Sequence, residues 1–267
     1  MLNILGMYPG DPGNPGSDCA GVVTAVGADV VTLCPGQPVF GLAEGSLGSV
    51  VTASAETLVA MPEHLSFEAA ASMPTVFITA QLALQGCAAV LPQDRVLVHG
   101  AAGGVGLAAL QVLQAAGATA LATAGNPSKR ALLRSLGCAA VLGSRDTGFA
   151  AQLAQLGGAS VVLNSLTSPG MVSASLAALR PGGRLVEIGK RDVWSAAGVA
   201  RERADVSYSL LAVDFLPAGV VQSTLQGVAA GAAAGRLRPL PVVAHDMRNV
   251  VAALRQMSQV RSWLCLV

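Results

Sequence analysis

The small residues between Val98 and Leu107 have the spacing of a loop that binds the pyrophosphate of a dinucleotide. Ala101, Gly103 and Gly106 fall at the three positions of the dinucleotide fingerprint, with alanine in place of the first glycine. Small residues at these positions let the backbone amides at the start of a helix approach a phosphate, and the positive end of the helix attracts its charge. The spacing therefore predicts a dinucleotide site.

The residues after the fingerprint favour NADPH over NADH. An NAD-specific fold carries an acidic residue about 20 positions after the glycines, where it binds the ribose hydroxyls. No Asp or Glu lies between Asp94 and Asp146, and the segment in its place carries Lys129, Arg130 and then Arg134. Taken alone, Lys129 and Arg130 fit a solvated helix start equally well. Because the acidic residue is missing, we predict a loop that binds a 2′-phosphate.

The elements around the fingerprint alternate between strand and helix. Residues 95–99 form a short apolar run typical of a strand, and helical spacing begins at Leu107. Such alternation predicts an α/β fold, a doubly wound parallel sheet of the Rossmann type. Further strands are predicted at 120–124, 139–142, 160–163 and 183–188, and further helices include 170–179 and most of 216–235.

A second, mostly β domain is predicted before the fingerprint. Between residues 17 and 60, alternating runs such as 21–27 and 49–52 are separated by glycine and proline. Residues 61–68 then link this region to a helix, for which Ser66 is the predicted N-cap.

The composition favours a cytoplasmic enzyme with a full hydrophobic core. Of the 267 residues, 52% are hydrophobic and 12% are charged, which suffices for one large or two moderate domains. A net charge of +1, dispersed arginines and 3% aromatic residues disfavour binding to nucleic acid or to a membrane surface. The uncharged stretch 96–128 is interrupted by Gly, Gln and Asn, so it predicts buried interior rather than a membrane span. No signal peptide is predicted.

The side chains that usually bind metals are scattered along the chain. No cysteines are paired at the spacing of metal ligands, and the histidines are also far apart in sequence. His99, at the end of the strand before the fingerprint, is predicted to pack beside the nucleotide loop. We therefore predict no metal site. The residues concerned are Cys19, Cys34, Cys87, Cys138, Cys265, His64, His99 and His245.

A series of motifs carries a family resemblance across almost the whole chain. The motifs lie, in order, at residues 2–10, 77–80, 98–106, 162–166, 183–190, 237–241 and 257–258. Together they resemble the enoyl reductase domains of modular polyketide synthases and animal-type fatty acid synthases. The resemblance implies a medium-chain dehydrogenase/reductase fold in its zinc-free branch, which is related to quinone oxidoreductases. Where zinc-dependent relatives carry a His-Glu pair before Ala20, this chain has Ser17 and Asp18.

The resemblance implies the reduction of a trans-2-enoyl thioester that an acyl carrier protein holds on its phosphopantetheine arm. Hydride from NADPH adds to the β carbon, an enolate builds up on the thioester oxygen, and a proton is delivered to the α carbon. The expected partners are the acyl carrier protein and neighbouring synthase domains such as ketoreductase and dehydratase.

Two residues take the catalytic roles that this chemistry requires. Lys190, one of only two lysines, follows a predicted strand at the edge of the sheet where ligands bind, and it is the expected proton donor or enolate stabiliser. Asp214 matches the acidic residue that the family places after this lysine, and it is the expected electrostatic or relay partner. The competing interpretations are a solvated loop lysine for Lys190 and a helix cap for Asp214.

The resemblance also assigns the residues that contact the cofactor. The pyrophosphate is expected at Gly103, Gly104, Val105 and Gly106. The remaining expected contacts are Thr123, Lys129 and Arg130 on the adenosine side, Asn164 and Ser165 near the nicotinamide ribose, and Thr79 and Gly189.

The chain differs from the family at its start. In members of the family, further strands and an Asn-Phe/Tyr-Arg-Asp segment precede the part that aligns with Leu2 of this chain. We therefore predict a partial, N-terminally truncated GroES-like substrate domain at 1–72 and 237–267, with the nucleotide domain at 73–236. Two alternatives stay open: a truncated nucleotide fold that serves as a non-catalytic scaffold, and a free-standing NADPH quinone or enone reductase. The motifs at 5–10 and 238–241 disfavour the second alternative.

Overall fold

The first part of the chain forms a small antiparallel sheet in a computed structural model that describes residues 13–258 and 265–266. The strands pair in the order β1-β2-β3, and Phe40 at the centre of the middle strand is fully buried. A single 3₁₀ turn, capped by the hydroxyl of Ser54, leads into the third strand. The strands are β1 Asp18–Val22, β2 Pro38–Leu42 and β3 Leu58–Ala60.

Two short helices follow this sheet. The first, α1 Phe67–Ala71, begins at Ser66, whose hydroxyl accepts a hydrogen bond from the amide of Ala69 at 3.2 Å, which confirms the predicted cap. The second, α2 Pro74–Gln81, begins beside Asp18, whose carboxylate accepts from the amide of Thr75 at 2.7 Å. Burial raises the pKa of Asp18 to about 6. Asp18 therefore fixes the start of α2.

A six-stranded parallel sheet with helices between its strands forms the middle of the chain, which confirms the predicted Rossmann fold. Its strand order is β6-β5-β4-β7-β8-β9. Strand β8 starts four residues before its predicted position, because the preceding helix ends at Ala177. The elements are β4 Arg95–Val98, α3 Gly104–Ala116, β5 Thr119–Ala124, α4 Pro127–Ser135, β6 Ala140–Gly143, α5 Gly148–Gln155, β7 Ala159–Asn164, α6 Met171–Ala177, β8 Leu179–Glu187, α7 Ala196–Glu202 and β9 Ser207–Leu210.

The central strands of this sheet are buried on both faces, as parallel strands with helices on each side must be. Three consecutive residues of β4, Val96 to Val98, have no exposed surface. A core of Leu97, Val162 and Leu185 from neighbouring strands packs with Phe149 of α5 and Leu176 of α6. This core holds rigid the strand ends from which the loops of the candidate site emerge.

The last part of the chain returns to the first unit of the fold. Helix α8, Ala218–Ala233, packs against β3 and the 3₁₀ turn before it. The structure accordingly forms one unit from residues up to Ile78 together with those from Val213 onward, and a second unit from Thr79–Ala212. The sequence places the divisions at 72 and 236 instead, which assigns α8 to the nucleotide domain.

Further short elements lie towards the end of the described residues. Strand β10, Val242–Val243, pairs in parallel with β11, Cys265–Leu266, and helix α9, Val250–Ser258, lies between them in sequence. None of the helices in residues 13–258 has the length and apolar character needed to cross a membrane.

Candidate functional site

The loop between β4 and α3 opens onto a cleft of about 250 Å³. Gly100 adopts a left-handed conformation with φ +58°, which turns the chain sharply away from the strand. Gly103 caps α3 with extended backbone and no capping side chain. The amides of the first helical turn have no acceptor within the helix, so they are available to a phosphate in the cleft. The cleft is lined by Val98, His99, Gly100, Gly103, Gly104, Val105, Gly106, Leu163, Ser165 and Ile188.

Gly106 lets α3 pack closely against the loop. A Cβ atom at this position would lie 2.5 Å from the Cα and carbonyl oxygen of Ala101. These are backbone atoms, which cannot move aside without shifting the loop. Ala101 itself is fully buried, so its methyl group is accommodated where the fingerprint usually has glycine. The sequence reading of the three fingerprint positions therefore has a steric basis in the fold.

A buried histidine supports the loop from below. The Nδ1 atom of His99 lies 2.9 Å from the hydroxyl of Thr123, and its Nε2 atom lies 2.9 Å from the hydroxyl of Ser175. The Ser175 hydroxyl donates to the carbonyl of Met171 at 2.8 Å, so it accepts from Nε2. Thr123 then donates to Nδ1 and accepts from the amide of Gly100 at 3.4 Å. These bonds define a neutral imidazole with its proton on Nε2.

Burial agrees with that protonation state, because it lowers the pKa of His99 to about 3. The ring also packs edge-on against Phe149, with centroids 4.8 Å apart. His99 thus packs beside the nucleotide loop, as predicted. Thr123 is fully buried, and its hydroxyl binds His99 beneath the loop. Ser175 was missed, because no motif singles out a serine on the helix 76 residues later.

Cationic residues surround the end of β5, where the sequence predicts the adenosine side of the cofactor. Lys129 and Arg130 lie in the first turn of α4, whose cap Asn126 accepts from the amide of Lys129 at 2.8 Å, rather than in the predicted loop. Arg130 donates to the carbonyl of Ala124 at 3.2 Å. Cations at a helix N-terminus oppose the helix dipole, so a bound anion would stabilise this arrangement.

Arg145 is a further cation at this end of the sheet. It follows β6, and its Nε atom donates to the carbonyl of Gly125 at 2.7 Å. No local sequence pattern indicates this contact, because Arg145 lies 20 residues from Gly125. The signal that could have found it is the sheet order, which places the end of β6 beside the end of β5.

At the ends of β7 and β8, two buried side chains hydrogen-bond to each other. The Nδ2 atom of Asn164 donates to Oε2 of Glu187 at 2.5 Å, and both residues are at most 1% exposed. The Oδ1 atom of Asn164 accepts from the amide of Leu166 at 3.3 Å. The Oε1 atom of Glu187 accepts from the amide of Gly189 at 2.5 Å. Burial, and to a smaller degree the charge of Asp192, raises the pKa of Glu187.

The turn after β8 carries Lys190. A Cβ atom on Gly189 would lie 2.7 Å from Oε1 of Glu187 and 3.0 Å from Cγ2 of Thr167, so a side chain there would displace one of them. Lys190 is half-buried and lies two residues after Ile188, which lines the cleft. Asp192 then reverses the chain with φ +51°, a conformation that aspartate tolerates better than most residues.

The structure brings only some of the predicted residues together. Gly103 to Gly106 and Ser165 line one cleft, and the hydroxyl of Ser165 donates to the carbonyl of His99 at 3.3 Å. Thr79 is 7% exposed and lies within α2. Asp214 is exposed in a 3₁₀ turn, Val213–Phe215, and belongs to the other unit from Lys190. The pairing of Lys190 with Asp214 therefore stays a prediction.

The described residues offer no donor set for a metal ion. Nowhere within 13–258 do three His, Cys, Asp or Glu side chains lie together as a metal site requires. Residues 104–213 nevertheless match a family model described as zinc-binding dehydrogenase. The side chains of the described residues do not fit the metal in that description.

Known proteins resemble the chain over nearly its full length. It is 44% identical over 266 residues to the spectinabilin polyketide synthase system protein NorB of Streptomyces orinoci, and 45% identical over 268 residues to the pikromycin polyketide synthase component PikAII of Streptomyces venezuelae. Each match covers 98% of this chain but only 12% and 7% of those proteins. Among solved structures, the CurK enoyl reductase is 38% identical with a TM-score of 0.90, over 98% of this chain and 84% of that one.

Proposed function

Because the chain belongs to the enoyl reductase family of polyketide synthases, we propose that it catalyses the NADPH-dependent reduction of a trans-2-enoyl thioester to the saturated acyl thioester. One observation carries the proposal for this chain. The cleft at the glycine loop is lined on one side by the first amides of α3 and on another by Ile188, two residues before Lys190. A nucleotide-binding loop and a candidate proton donor therefore lie at the same end of the sheet.

The residues around the cleft fit a nicotinamide dinucleotide. The amides of Gly104, Val105 and Gly106 would hold the pyrophosphate, next to Gly103, whose own amide donates to the carbonyl of Gly100. The missing Cβ at Gly106 keeps the helix start close to the loop. Lys129, Arg130 and Arg145 would bind a 2′-phosphate, and no Asp or Glu lies between residues 95 and 145. When bound, NADPH supplies the hydride that adds to the β carbon of the substrate.

Lys190 supplies the other half of the reaction in this proposal. Hydride addition leaves negative charge on the thioester oxygen, and a cationic ammonium group beside that oxygen stabilises the enolate. The same group can transfer a proton to the α carbon, which completes the saturated product and leaves a neutral amine that solvent reprotonates. Asp214 is proposed as the partner that maintains the charge of Lys190.

The acyl group is proposed to arrive on the phosphopantetheine arm of an acyl carrier protein. The curated relatives are polyketide synthase proteins, and the chain spans about a tenth of their length or less. We accordingly propose neighbouring synthase domains, such as ketoreductase and dehydratase, as its partners in the cytoplasm. A ketoreductase and a dehydratase acting in turn would produce the enoyl thioester that this chemistry consumes.

The test is NADPH oxidation with crotonyl-pantetheine thioester, followed at the absorbance band of NADPH. We expect turnover that falls at least about 100-fold in Lys190→Met, because the variant removes the group that stabilises charge in the transition state. Arg191→Met is the matched control: it removes the neighbouring exposed cation and should leave turnover within about twofold. A Lys190→Met variant that keeps full turnover would remove Lys190 from the mechanism.

Two further comparisons separate the alternatives. A quinone reductase would turn over a simple quinone faster than the thioester, and a scaffold would neither bind nor oxidise NADPH. Lys129→Ala should raise the Kd for NADPH and leave that for NADH unchanged, because only NADPH carries the 2′-phosphate. Equal losses for both cofactors would contradict the proposed NADPH preference.

A further inference from the structure

Glu187 connects the ends of β7 and β8 and the loops that follow these two strands. Its carboxylate is 1% exposed, and its two oxygens are bonded in different directions. Oε2 accepts from the side chain of Asn164, the last residue of β7, and Oε1 accepts from the backbone of Gly189. The strand ends are therefore joined by a single buried carboxylate directly below the turn that carries Lys190.

The turn is shaped around this carboxylate. A side chain at Gly189 would collide with Oε1 of Glu187 at 2.7 Å, so the backbone approaches the acid more closely than any other residue type allows. The amide of Ile188 continues the sheet by donating to the carbonyl of Asn164 at 2.9 Å. Ile188 is thus fixed by the sheet, and Gly189 is fixed by Glu187. Lys190 is the next residue.

We propose that Glu187 and Asn164 form a clamp that fixes the turn of Gly189 and Lys190 at the cleft, so that Glu187 is a positioning residue for Lys190. This inference rests on the role proposed above for Lys190. It assigns a purpose to a buried carboxylate whose hydrogen-bond donors, the side chain of Asn164 and backbone amides of the turn, are neutral and stabilise its charge only in part.

The directions of the hydrogen bonds in the clamp suggest a substitution that tests it. The Oδ1 atom of Asn164 accepts from Leu166, which leaves Nδ2 to donate to Glu187. In Glu187→Gln, the NH2 group of the new side chain must face either Nδ2 of Asn164 or the backbone N–H of Gly189, and both of these are donors. One hydrogen bond of the clamp is therefore lost in either orientation of the new side chain.

Exchanging the two polar groups restores the clamp. In the double variant Asn164→Asp with Glu187→Gln, the amide at position 187 donates to the carboxylate at 164, and its oxygen accepts from Gly189. The carboxylate at 164 still accepts from Leu166. Only the 3.3 Å contact from Asn164 to the carbonyl of Leu166 is lost. The double variant should thus hold the turn even though the buried charge has moved.

Amide hydrogen exchange of the protein without cofactor measures the clamp directly. We expect exchange at the amide of Gly189, which donates to Glu187, to be at least about tenfold faster in Glu187→Gln, because an opened hydrogen bond loses its protection, and to return towards the wild-type rate in the double variant. The matched control is Glu202→Gln, the same chemical change at an exposed position on α7. Unchanged exchange in Glu187→Gln would overturn the inference.

Kinetics separate positioning from a general structural role. We expect kcat for the enoyl thioester to fall about tenfold in Glu187→Gln with KM for NADPH within about twofold, since misplacing a catalytic group costs rate more than cofactor binding. In a Lys190→Met background the same substitution should add no further loss, because Glu187 acts through Lys190. The double variant should recover kcat to within about threefold of wild type.

The two proposals fail in different ways. If the wild-type chain reduces no enoyl thioester, the proposed function fails while hydrogen exchange still decides whether the clamp exists. If the wild type is active and Glu187→Gln lowers kcat equally with and without Lys190, then Glu187 does not act through Lys190 and the inference is wrong. Recovery of exchange protection and kcat in the double variant would support it even if Glu187→Gln alone lowers the melting temperature.

Discussion

Two buried carboxylates lie at opposite ends of the parallel sheet, and their surroundings differ. Asp94 immediately precedes β4 at the amino end and is 5% exposed, while Glu187 ends β8 at the carboxyl end and is 1% exposed. Asp94 accepts from the amide of Leu91, the hydroxyl of Ser160 and the guanidinium of Arg184, the last at 2.5 Å. The bonds to Glu187 described above come from amides.

The contrast appears in the pKa values. Burial opposes the ionised form of both acids, but at Asp94 the hydrogen bonds from Leu91 and Ser160 and the charge of Arg184 outweigh it and lower the pKa. At Glu187 burial dominates and raises the pKa. The amino end of the sheet thus uses its carboxylate for stability, while the carboxyl end keeps a costly charge beside the cleft. A buried acid retained at such a cost indicates a functional role.

The largest expected effect is a loss of stability after a substitution at the amino end of the sheet. Asp94→Asn leaves Arg184 without its anionic partner, and we expect the free energy of unfolding to fall by about 3 kcal/mol, as when a buried ion pair loses one member. Urea denaturation measures this, with the exposed Asp146→Asn as the matched control. Because Asp94 lies far along the strands from the cleft, kcat per folded molecule should be unchanged. A loss of kcat without a loss of stability would contradict the division between the two ends.

The next effect is expected at the carboxyl end. Gly106→Ala places a methyl group 2.5 Å from the backbone of Ala101, and we expect it to destabilise the fold by about 2 kcal/mol through overpacking. Unlike Asp94→Asn, it should also weaken NADPH binding, because the helix start moves away from the loop. Gly219→Ala, at an exposed helical position with open space around it, is the control and should lose neither. Unimpaired NADPH binding in Gly106→Ala would show that the close packing does not serve the cofactor.

A smaller effect tests the support beneath the loop. Thr123→Val keeps the shape of the side chain but leaves Nδ1 of His99 without its donor, which should cost about 1 kcal/mol of stability. The Kd for NADPH should rise as well, because the amide of Gly100 loses its hydrogen bond to the hydroxyl of Thr123. Thr224→Val, which removes a hydroxyl that bonds within α8, is the control. Nitrogen NMR should show the proton on Nε2 of His99, and a proton on Nδ1 would refute the hydrogen-bond order described above.

The sequence predicted the local parts of this site well, because they depend on short-range patterns. The strand, loop and helix around Gly103, the parallel sheet, and the cap at Ser66 all follow from spacing and turn chemistry. Of the residues predicted to bind the cofactor, Gly103 to Gly106 and Ser165 do line one cleft. Each of these lies at or directly after the end of a predicted strand.

The residues that the sequence did not reveal depend on which strands are neighbours. Arg145 and Glu187 acquire their partners only when β6 lies beside β5 and β8 beside β7. Ser175 acquires its partner only when α6 packs beside His99 at the end of β4. Their contacts join positions 20 to 76 residues apart, and no local pattern encodes them.

The smallest expected effect is a difference in pH dependence between the two acids. The folded pKa of Asp94 lies below its unfolded value of about 3.9, so its contribution to stability is complete above that pH and is lost as the pH falls towards the folded value. The folded pKa of Glu187 lies above its unfolded value of about 4.3, so its contribution is complete below that pH and is lost as the pH rises through the folded value. The charged group facing Glu187 from its own turn is Asp192, which reinforces the shift. From β9, Tyr208 stays neutral, because burial and the charge of Glu187 raise its pKa to about 12.

Urea unfolding of wild type, Asp94→Asn and Glu187→Gln between about pH 3 and pH 7, where the carboxyl groups titrate, measures both contributions as differences from wild type. The stability that wild type holds over Asp94→Asn should be constant down to about pH 4 and then decline. The stability of wild type relative to Glu187→Gln should decline in the other direction, as the pH rises above about 4.3. Carboxyl groups common to the three proteins cancel in these differences. If both differences changed in the same direction with pH, the two ends of the sheet would be using their carboxylates in the same way, and the case for a functional cost at Glu187 would be lost.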